Sequence, residues 1–321
     1  MSKTLIEPIE KYGLSSENRP KQLFSKVGII GCGTVGQSIA LMISQKDIEV
    51  VFVELSEENV KHAIEEISNE LDSMIDHWGM TPGEKRAVLS RINGGVGYKS
   101  LKDCDLVIEA IRSKTRERRI SCRKEVFKKI EDAVSPECII ATNSTTIVIT
   151  ELSSELEHNE RCVSLHFLTN TPNAKMIEVV RGLYTSDVVF QKVEKFVRMI
   201  GKQPILVEES PGLISIRVFV AQLNEACEVL MEGVGTLEDI DKTMRIGLGQ
   251  VLGPFEMADK IGLDKVMRWM ENIYNEFGDK KYMASPIIKR LVRANHLGRL
   301  SGKGFYNYKV DGKKEVNIKQ Q

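Results

Sequence analysis

Residues Lys26–Glu54 read KVGIIGCGTVGQSIALMISQKDIEVVFVE, and this stretch decides the fold. Lys26–Ile30 is a short apolar strand. Gly31–Gly36 spells G-x-G-x-x-G and makes a turn, Gln37–Ser44 opens a helix, and Glu49–Val53 is a second strand ended by Glu54. The glycine pattern alone is a weak signal, because a structural turn in another α/β protein can carry it. The full order of strand, glycine turn, helix, strand and acid favours a dinucleotide site. Gly31 allows the tight turn, Gly33 lets a pyrophosphate approach the backbone, and Gly36 lets helix and strand pack. Thr34 and Val35 supply N–H groups at the helix start, where partial positive charge favours phosphate. Glu54 lies 18 residues after Gly36, placed to accept from both ribose hydroxyls and to repel a 2′-phosphate. The cofactor implied is NAD.

Working outward, strand and helix patterns alternate. Residues 56–76 have helical spacing, and Thr81-Pro82-Gly83-Glu84 caps a further helix. Leu106–Ile111 reads as a strand, Ile120, Phe127, Ile130 and Val134 mark a helix, and Cys138–Thr142 is a strand opening onto Asn143. That rhythm predicts a mostly parallel α/β sheet. Cys162–Phe167 and Met176–Val180 follow as two strands. A helix around 187–200 and a strand at Pro204–Val207 close this half, and Glu209-Ser210-Pro211-Gly212 is the linker. Beyond it nearly everything is helical in pattern. The expected organisation is an N-terminal arm over 1–25, a Rossmann-type dinucleotide-binding domain over 26–209, and an all-α domain over 210–321.

Composition narrows the function. The chain has 321 residues, 42% hydrophobic and 28% charged, with 45 basic residues against 45 acidic. Zero net charge removes the global argument for nucleic acid. Six cysteines without a C-x-x-C pair exclude a zinc ribbon, no metal is expected, and reduced thiols point to a cytoplasmic protein. The charged first 24 residues argue against a secretory signal. Val27–Gln45 has no charge over nineteen residues, but its four glycines break it into strand, turn and helix rather than a membrane span. No membrane partner is expected.

His166 ends the strand CVSLH, and Glu178 sits twelve residues later in MIEVV. A short hairpin would set them face to face. A carboxylate on one ring nitrogen holds the tautomer, and the other nitrogen can then take a proton from an alcohol. By spacing alone, a structural histidine and a solvated glutamate remain an alternative. His62, His77, His158 and His296 read as surface residues.

Taken together, VGIIGCGTVG, LVIEAI (106–111), TNSTT (142–146), SLHF with MIEVV, ESPGLISIR (209–217), GLGQVLGPFEMADKIGLD (247–264) and LSGKGFYNY (300–308) resemble the L-3-hydroxyacyl-CoA dehydrogenases, including the 3-hydroxybutyryl-CoA dehydrogenases. The resemblance implies an acyl-CoA substrate in the cleft between the domains and a homodimer formed by the helical domain. It implies His166 as base, Glu178 as its partner and Thr145 as the substrate-contacting hydroxyl. NAD would also meet Ala110, Ile111 and Asn143. Several positions depart from the family pattern. Ile216 stands where the family has a substrate-contacting Asn, and Thr169, Ser113 and Leu300 replace Asn, an acid and a lysine. The stretch Asp76-His77-Trp78-Gly79 lacks the family's CoA-side basic residues. Two alternatives stay open on these changes: a dehydrogenase of a non-CoA 3-hydroxy acid, and a catalytically weak NAD-binding relative. The run RSKTRERRISCRK (112–124) reads as a solvated helix face or as a holder of a CoA phosphate.

Overall fold

The structure is a computed structural model that describes residues 23–77, 79–111, 116–168, 174–308 and 314–316, the side chains of 116–119 and 314–316 excepted. Most of the N-terminal arm, Trp78, Ser113 with the rest of 112–115, and Thr169 lie outside the described residues.

Strand β1 (Lys26–Ile30), helix α1 (Thr34–Ser44) and strand β2 (Glu49–Glu54) form the first unit. Helix α1 starts three residues earlier than the spacing predicts, inside the glycine motif. Helices α2 (Glu57–Asp76) and α3 (Pro82–Ser90) follow. Ser56 caps α2, and Thr81 with Glu84 forms the expected capping box on α3. Then come β3 (Ile92–Val96), β4 (Leu106–Glu109), α4 (Arg116–Ala133), β5 (Ile139–Thr142) and α5 (Ile149–Ser153). The sheet half ends with β6 (Cys162–His166), β7 (Met176–Arg181), α6 (Asp187–Met199) and β8 (Gln203–Glu208). The eight strands make one sheet in the order β3-β2-β1-β4-β5-β6-β7-β8. Every neighbouring pair is parallel except β6 and β7, which run antiparallel.

Side chains alternate across this sheet with period two. Val27, Ile29, Val50, Phe52, Leu106 and Ile108 join one apolar cluster with residues of α1, α2 and α6. Ile30, Val51, Val53, Val107 and Ile140 join a second, with Phe127 and Ile130 of α4. Both faces of the central strands are therefore buried, as a parallel sheet covered by helices requires. Strand β3, the sequence INGGV, carries no β-branched alternation and is not foreseen. Its Gly94 is required by packing: a Cβ there would stand 2.3 Å from the Phe52 ring.

The chain then enters α7 (Leu213–Met231), α8 (Leu237–Lys242), α9 (Pro254–Ile261), α10 (Leu263–Phe277) and α11 (Pro286–Arg293). The apolar stripe of α7 (Leu213, Ile216, Val220, Leu223, Cys227, Leu230) is buried as the spacing predicts. From Ile216 onward it packs in a separate helical core with Phe255, Met270 and Phe305. The helical region also holds a two-stranded ladder of β9 (Tyr306–Tyr308) and β10 (Lys314–Val316), an addition to the all-α expectation. Asp259 ties this end to α9, accepting from the Phe305 and Tyr306 amides and the Tyr308 hydroxyl.

Candidate active site

A cavity of about 600 Å³ opens at the carboxyl ends of the central strands, where ligands bind in open α/β sheets. Val35, Ala110, Ile111, Asn143, Thr145 and His166 line it from the sheet side. Asp264, Lys265, Arg268, Trp269 and Asn272 line it from α10.

The glycine turn reaches this cavity through Val35, in the first turn of α1. Gly31 has φ +88°, and a Cβ there would stand 3.2 Å from the Ile111 α-carbon and 3.3 Å from the Ala110 carbonyl carbon. A Cβ on Gly36 would lie 2.2 Å from the Gly31 carbonyl oxygen, which is why helix and strand pack only with glycine there. A Cβ on Gly33 would meet nothing within 4 Å: this face of the turn is open. Gly33 brings no capping side chain to α1. The first-turn amides of Thr34, Val35 and Gly36 thus have no intrahelical acceptor. Open glycine backbone and uncapped amides fit a pyrophosphate. Glu54 is anchored beside the turn, its Oε1 accepting from the Cys32 amide at 2.5 Å and its Oε2 from the Leu55 amide at 3.2 Å. This arrangement fits the adenosine half of NAD with an unphosphorylated ribose.

His166 and Glu178 are direct partners in the β6–β7 ladder. His166 Nδ1 lies 2.5 Å from Glu178 Oε2. The pair is buried, with 3% and 1% of its surface exposed. Burial pushes the Glu178 carboxyl up, but the His166 ring and the two donors of Ser215 outweigh it and hold it below the ordinary glutamate value. The Ser215 amide donates to Oε1 at 3.1 Å and its hydroxyl to Oε2 at 2.9 Å. With Nδ1 engaged, Nε2 is the nitrogen left for chemistry in the cavity wall.

A buried network fixes the floor between the glycine turn and this pair. The fully buried Glu109 takes Arg123 Nε on both oxygens at 3.0 Å, the Ile111 amide at 2.7 Å and the Thr142 hydroxyl at 2.6 Å. Thr142 Oγ1 accepts from the Ser144 amide. Asn143 Oδ1 accepts from the Phe167 amide at 3.0 Å, tying the end of β5 to the residue after His166. The Thr145 carbonyl accepts from the Gly212 amide, and Asn272 donates to the Thr146 hydroxyl at 2.8 Å. Both bonds cross from the sheet half to the helical half.

The structure thus gathers His166, Thr145, Asn143, Ala110, Ile111 and Val35 around one space, with Glu178 behind His166. Ile216 is not among the cavity-lining residues: it is 2% exposed and packed in the helical core. The residue that reaches the dyad from α7 is its neighbour, Ser215. In the basic run, Arg123 turns inward onto Glu109, against the expectation of a solvated face, while Lys124 pairs with Glu155 at the surface. Glu109 had one signal in the sequence, an acid closing an apolar strand. Ser215 and Asn272 had none.

Comparison with known proteins follows the same division of the chain. The family model described as 3-hydroxyacyl-CoA dehydrogenase, NAD binding domain, matches residues 26–210, and that of the C-terminal domain matches 212–308. The chain is 33% identical to a 3-hydroxybutyryl-CoA dehydrogenase of Clostridioides difficile over 283 residues, 88% of this chain and 99% of the relative. It is 33% identical to one of Bradyrhizobium diazoefficiens over 287 residues, 89% of this chain and 96% of the relative. Among solved structures, (S)-3-hydroxybutyryl-CoA dehydrogenase from Ralstonia eutropha superposes with a TM-score of 0.83 at 35% identity, covering 89% of this chain and 99% of that one.

Proposed function

This chain belongs to the 3-hydroxyacyl-CoA dehydrogenase family, and from that premise we propose how its own residues carry the reaction. The activity is the NAD-dependent interconversion of a 3-hydroxyacyl-CoA and its 3-ketoacyl-CoA. The observation that carries the residue assignment is the buried contact of His166 with Glu178, behind the wall of a cavity that His166 lines together with Val35 of the first turn of α1.

Gly31, Gly33, Thr34, Val35 and Gly36 hold the pyrophosphate of NAD, and Glu54 holds the adenosine ribose. Ala110, Ile111 and Asn143 continue the cradle toward His166. NAD held there would supply the hydride acceptor for the substrate's third carbon, and the hydride donor in the reverse direction. His166 Nε2 takes the hydroxyl proton as that carbon becomes a ketone, and returns it in the reverse direction. Glu178 keeps the proton of the neutral ring on Nδ1 and stabilises the imidazolium that forms. The Thr145 hydroxyl orients the substrate oxygen. The acyl chain is short, as the names of the bacterial relatives give for those proteins.

The test is His166→Gln, assayed with acetoacetyl-CoA and NADH. Loss of a general base costs about 10²–10⁴-fold in kcat, while the dinucleotide contacts stay in place. Wild-type turnover in this variant would overturn the assignment.

We also infer a homodimer. Ile214, Val218 and Met231 of α7 are exposed. An apolar groove of about 430 Å³ beside them is lined by Ala226, Val229, Val234, Ile240, Met244 and Pro254. This is more apolar surface than the helical core uses, and a second copy is its proposed cover. A monomer by light scattering at micromolar concentration would refute it. No helix among the described residues is long and apolar enough to cross a membrane. The six cysteines are free thiols, which supports a cytoplasmic setting.

A further inference from the structure

Thr145 carries the hydroxyl assigned to the substrate oxygen, and it stands in the stretch 143–148 between β5 and α5, which has no regular structure. Among the described residues nothing hydrogen-bonds that hydroxyl, so its direction follows from the backbone that bears it. The helical half holds that backbone at two points. The Gly212 amide donates to the Thr145 carbonyl at 2.9 Å. Asn272 Nδ2 donates to the hydroxyl of Thr146, one residue on, at 2.8 Å. Both holds lead to the same turn of α10. A Cβ on Gly212 would stand 2.5 Å from Ile273 Cδ1, so Ile273, next to Asn272, packs against the glycine whose amide reaches Thr145. On the other side, Ser144 is tied within its own loop, its amide to Thr142 Oγ1 and its hydroxyl to the Ile147 amide.

Asn272 is the one polar side chain among the six buried residues of α10, the others being Leu263, Val266, Trp269, Met270 and Ile273. Stability does not call for an amide at this place. Asparagine is a poor helix former, and a buried amide loses water that its hydrogen bond only replaces. An apolar pair at 146 and 272 would join the two halves about as well, because replacing both partners of a buried hydrogen bond by apolar groups of similar shape is nearly neutral. What the amide adds is direction: a hydrogen bond fixes distance and angle, whereas an apolar contact can slide. We propose that Asn272 is a positioning residue for the reaction: by holding Thr146 it fixes the aim of the Thr145 hydroxyl at the substrate oxygen. The inference rests on the dehydrogenase reading above and on the place of Thr145 in it. It makes the middle of α10 part of the machinery without any contact to the reacting atoms.

The experiment is a set of double-mutant cycles read in kcat with acetoacetyl-CoA and NADH, with KM for NADH and Tm measured on the same preparations. Asn272→Leu and Thr146→Val should each lower kcat by on the order of 10- to 10²-fold, the scale of a misplacement of about 1 Å. The two together should lose no more than either alone, because they break one contact. Thr146→Ser, which keeps the hydroxyl, should stay near wild type. Since the action runs through Thr145, Asn272→Leu should cost nothing further when added to Thr145→Ala. KM for NADH should not change. Thr146→Val combined with Asn272→Leu should melt close to wild type while remaining slow, which separates aim from loss of fold. Wild-type kcat in Asn272→Leu overturns the proposal. So does an equal loss from Asn272→Leu with and without Thr145→Ala, which would make the contact structural only. So does a loss in Asn272→Leu that Thr146→Val does not share, which would put the amide on the substrate itself. Wild-type kcat in Thr145→Ala would remove Thr145 from the reaction and this proposal with it, and absence of turnover by the wild-type protein would defeat the dehydrogenase reading itself.

Discussion

Ser215 holds Glu178 by both of its donors, the amide on one carboxylate oxygen and the hydroxyl on the other. The first turn of α7 therefore reaches out of the helical region and grips the carboxylate that orients His166. The position of the helical half and the aim of His166, the proposed base, are thereby connected. Ser215→Ala removes the hydroxyl and leaves the amide. One hydrogen bond to a charged group is worth ~1.5–3 kcal/mol, so kcat should fall about tenfold or more with dinucleotide affinity retained. Ser215→Thr, which keeps a hydroxyl, should recover much of the loss. Unchanged kcat in the alanine variant would mean that Glu178 does not need this donor.

The same carboxylate makes stability depend on pH. The folded value of Glu178 lies below its ordinary one, so between the two the folded chain binds fewer protons than the unfolded chain. Stability then rises with pH across that window. The Glu178 contribution is complete above the ordinary glutamate value of about 4.3 and is lost as pH falls through the depressed folded value. Glu178→Gln cannot titrate. Its deficit in Tm relative to wild type should hold from neutrality down to pH ~4.3 and should shrink only as pH falls below that toward the depressed folded value. A deficit that stays constant or widens on acidification below that point contradicts the charged pair.

Glu54 is the residue we propose to set cofactor choice. Its carboxylate is pinned beside the glycine turn by the Cys32 and Leu55 amides, so it cannot swing away from a 2′-phosphate without losing both. At an effective dielectric near 20, like charges ~4 Å apart repel by about 4 kcal/mol, an upper estimate for a half-exposed site. The expected preference in kcat/KM for NADH over NADPH is on the order of 10²-fold. Glu54→Gln should shrink it while leaving the anchoring acceptor to the Cys32 amide. Equal use of the two cofactors by the wild-type protein would contradict this role.

What was legible in the sequence is what has a period or a tight spacing. The β1–α1–β2 unit announces itself because apolar residues, glycines and an acid fall in one short window. The His166–Glu178 pair is readable because a short hairpin can set the two face to face and the family resemblance implies them as a pair; the spacing alone leaves a structural reading open. Strand β3 escaped because its Gly94 is dictated by the Phe52 ring on a neighbouring strand, a contact that leaves no local pattern. Arg123 escaped because a basic run on a helix looks the same from the sequence whether one member turns inward or none does. Ser215 escaped as well. It lies off the apolar stripe of α7 with no pattern to mark it, yet it meets Glu178, 37 residues earlier in the chain.

Ile216 shows the same limit and gives the last test. Read as a sequence departure, it stands where a polar substrate contact is expected, and Ile216→Asn looks like a restoration. In the fold the side chain is 2% exposed among Val220, Leu223 and other apolar residues of the helical core. An amide placed there loses the packing of a buried isoleucine. By protein mutational measures it also costs ~1–3 kcal/mol if no partner is found. The variant should therefore melt lower than wild type and should not raise turnover of acetoacetyl-CoA. Ser215, one residue earlier, already supplies the polar contact from this turn to the site, and it does so through Glu178 rather than through substrate. Thermal melting and steady-state kinetics on the same preparation decide the matter. If Ile216→Asn is as stable as wild type and faster, the side chain at 216 turns toward the cleft, and the substrate contact belongs to this position after all.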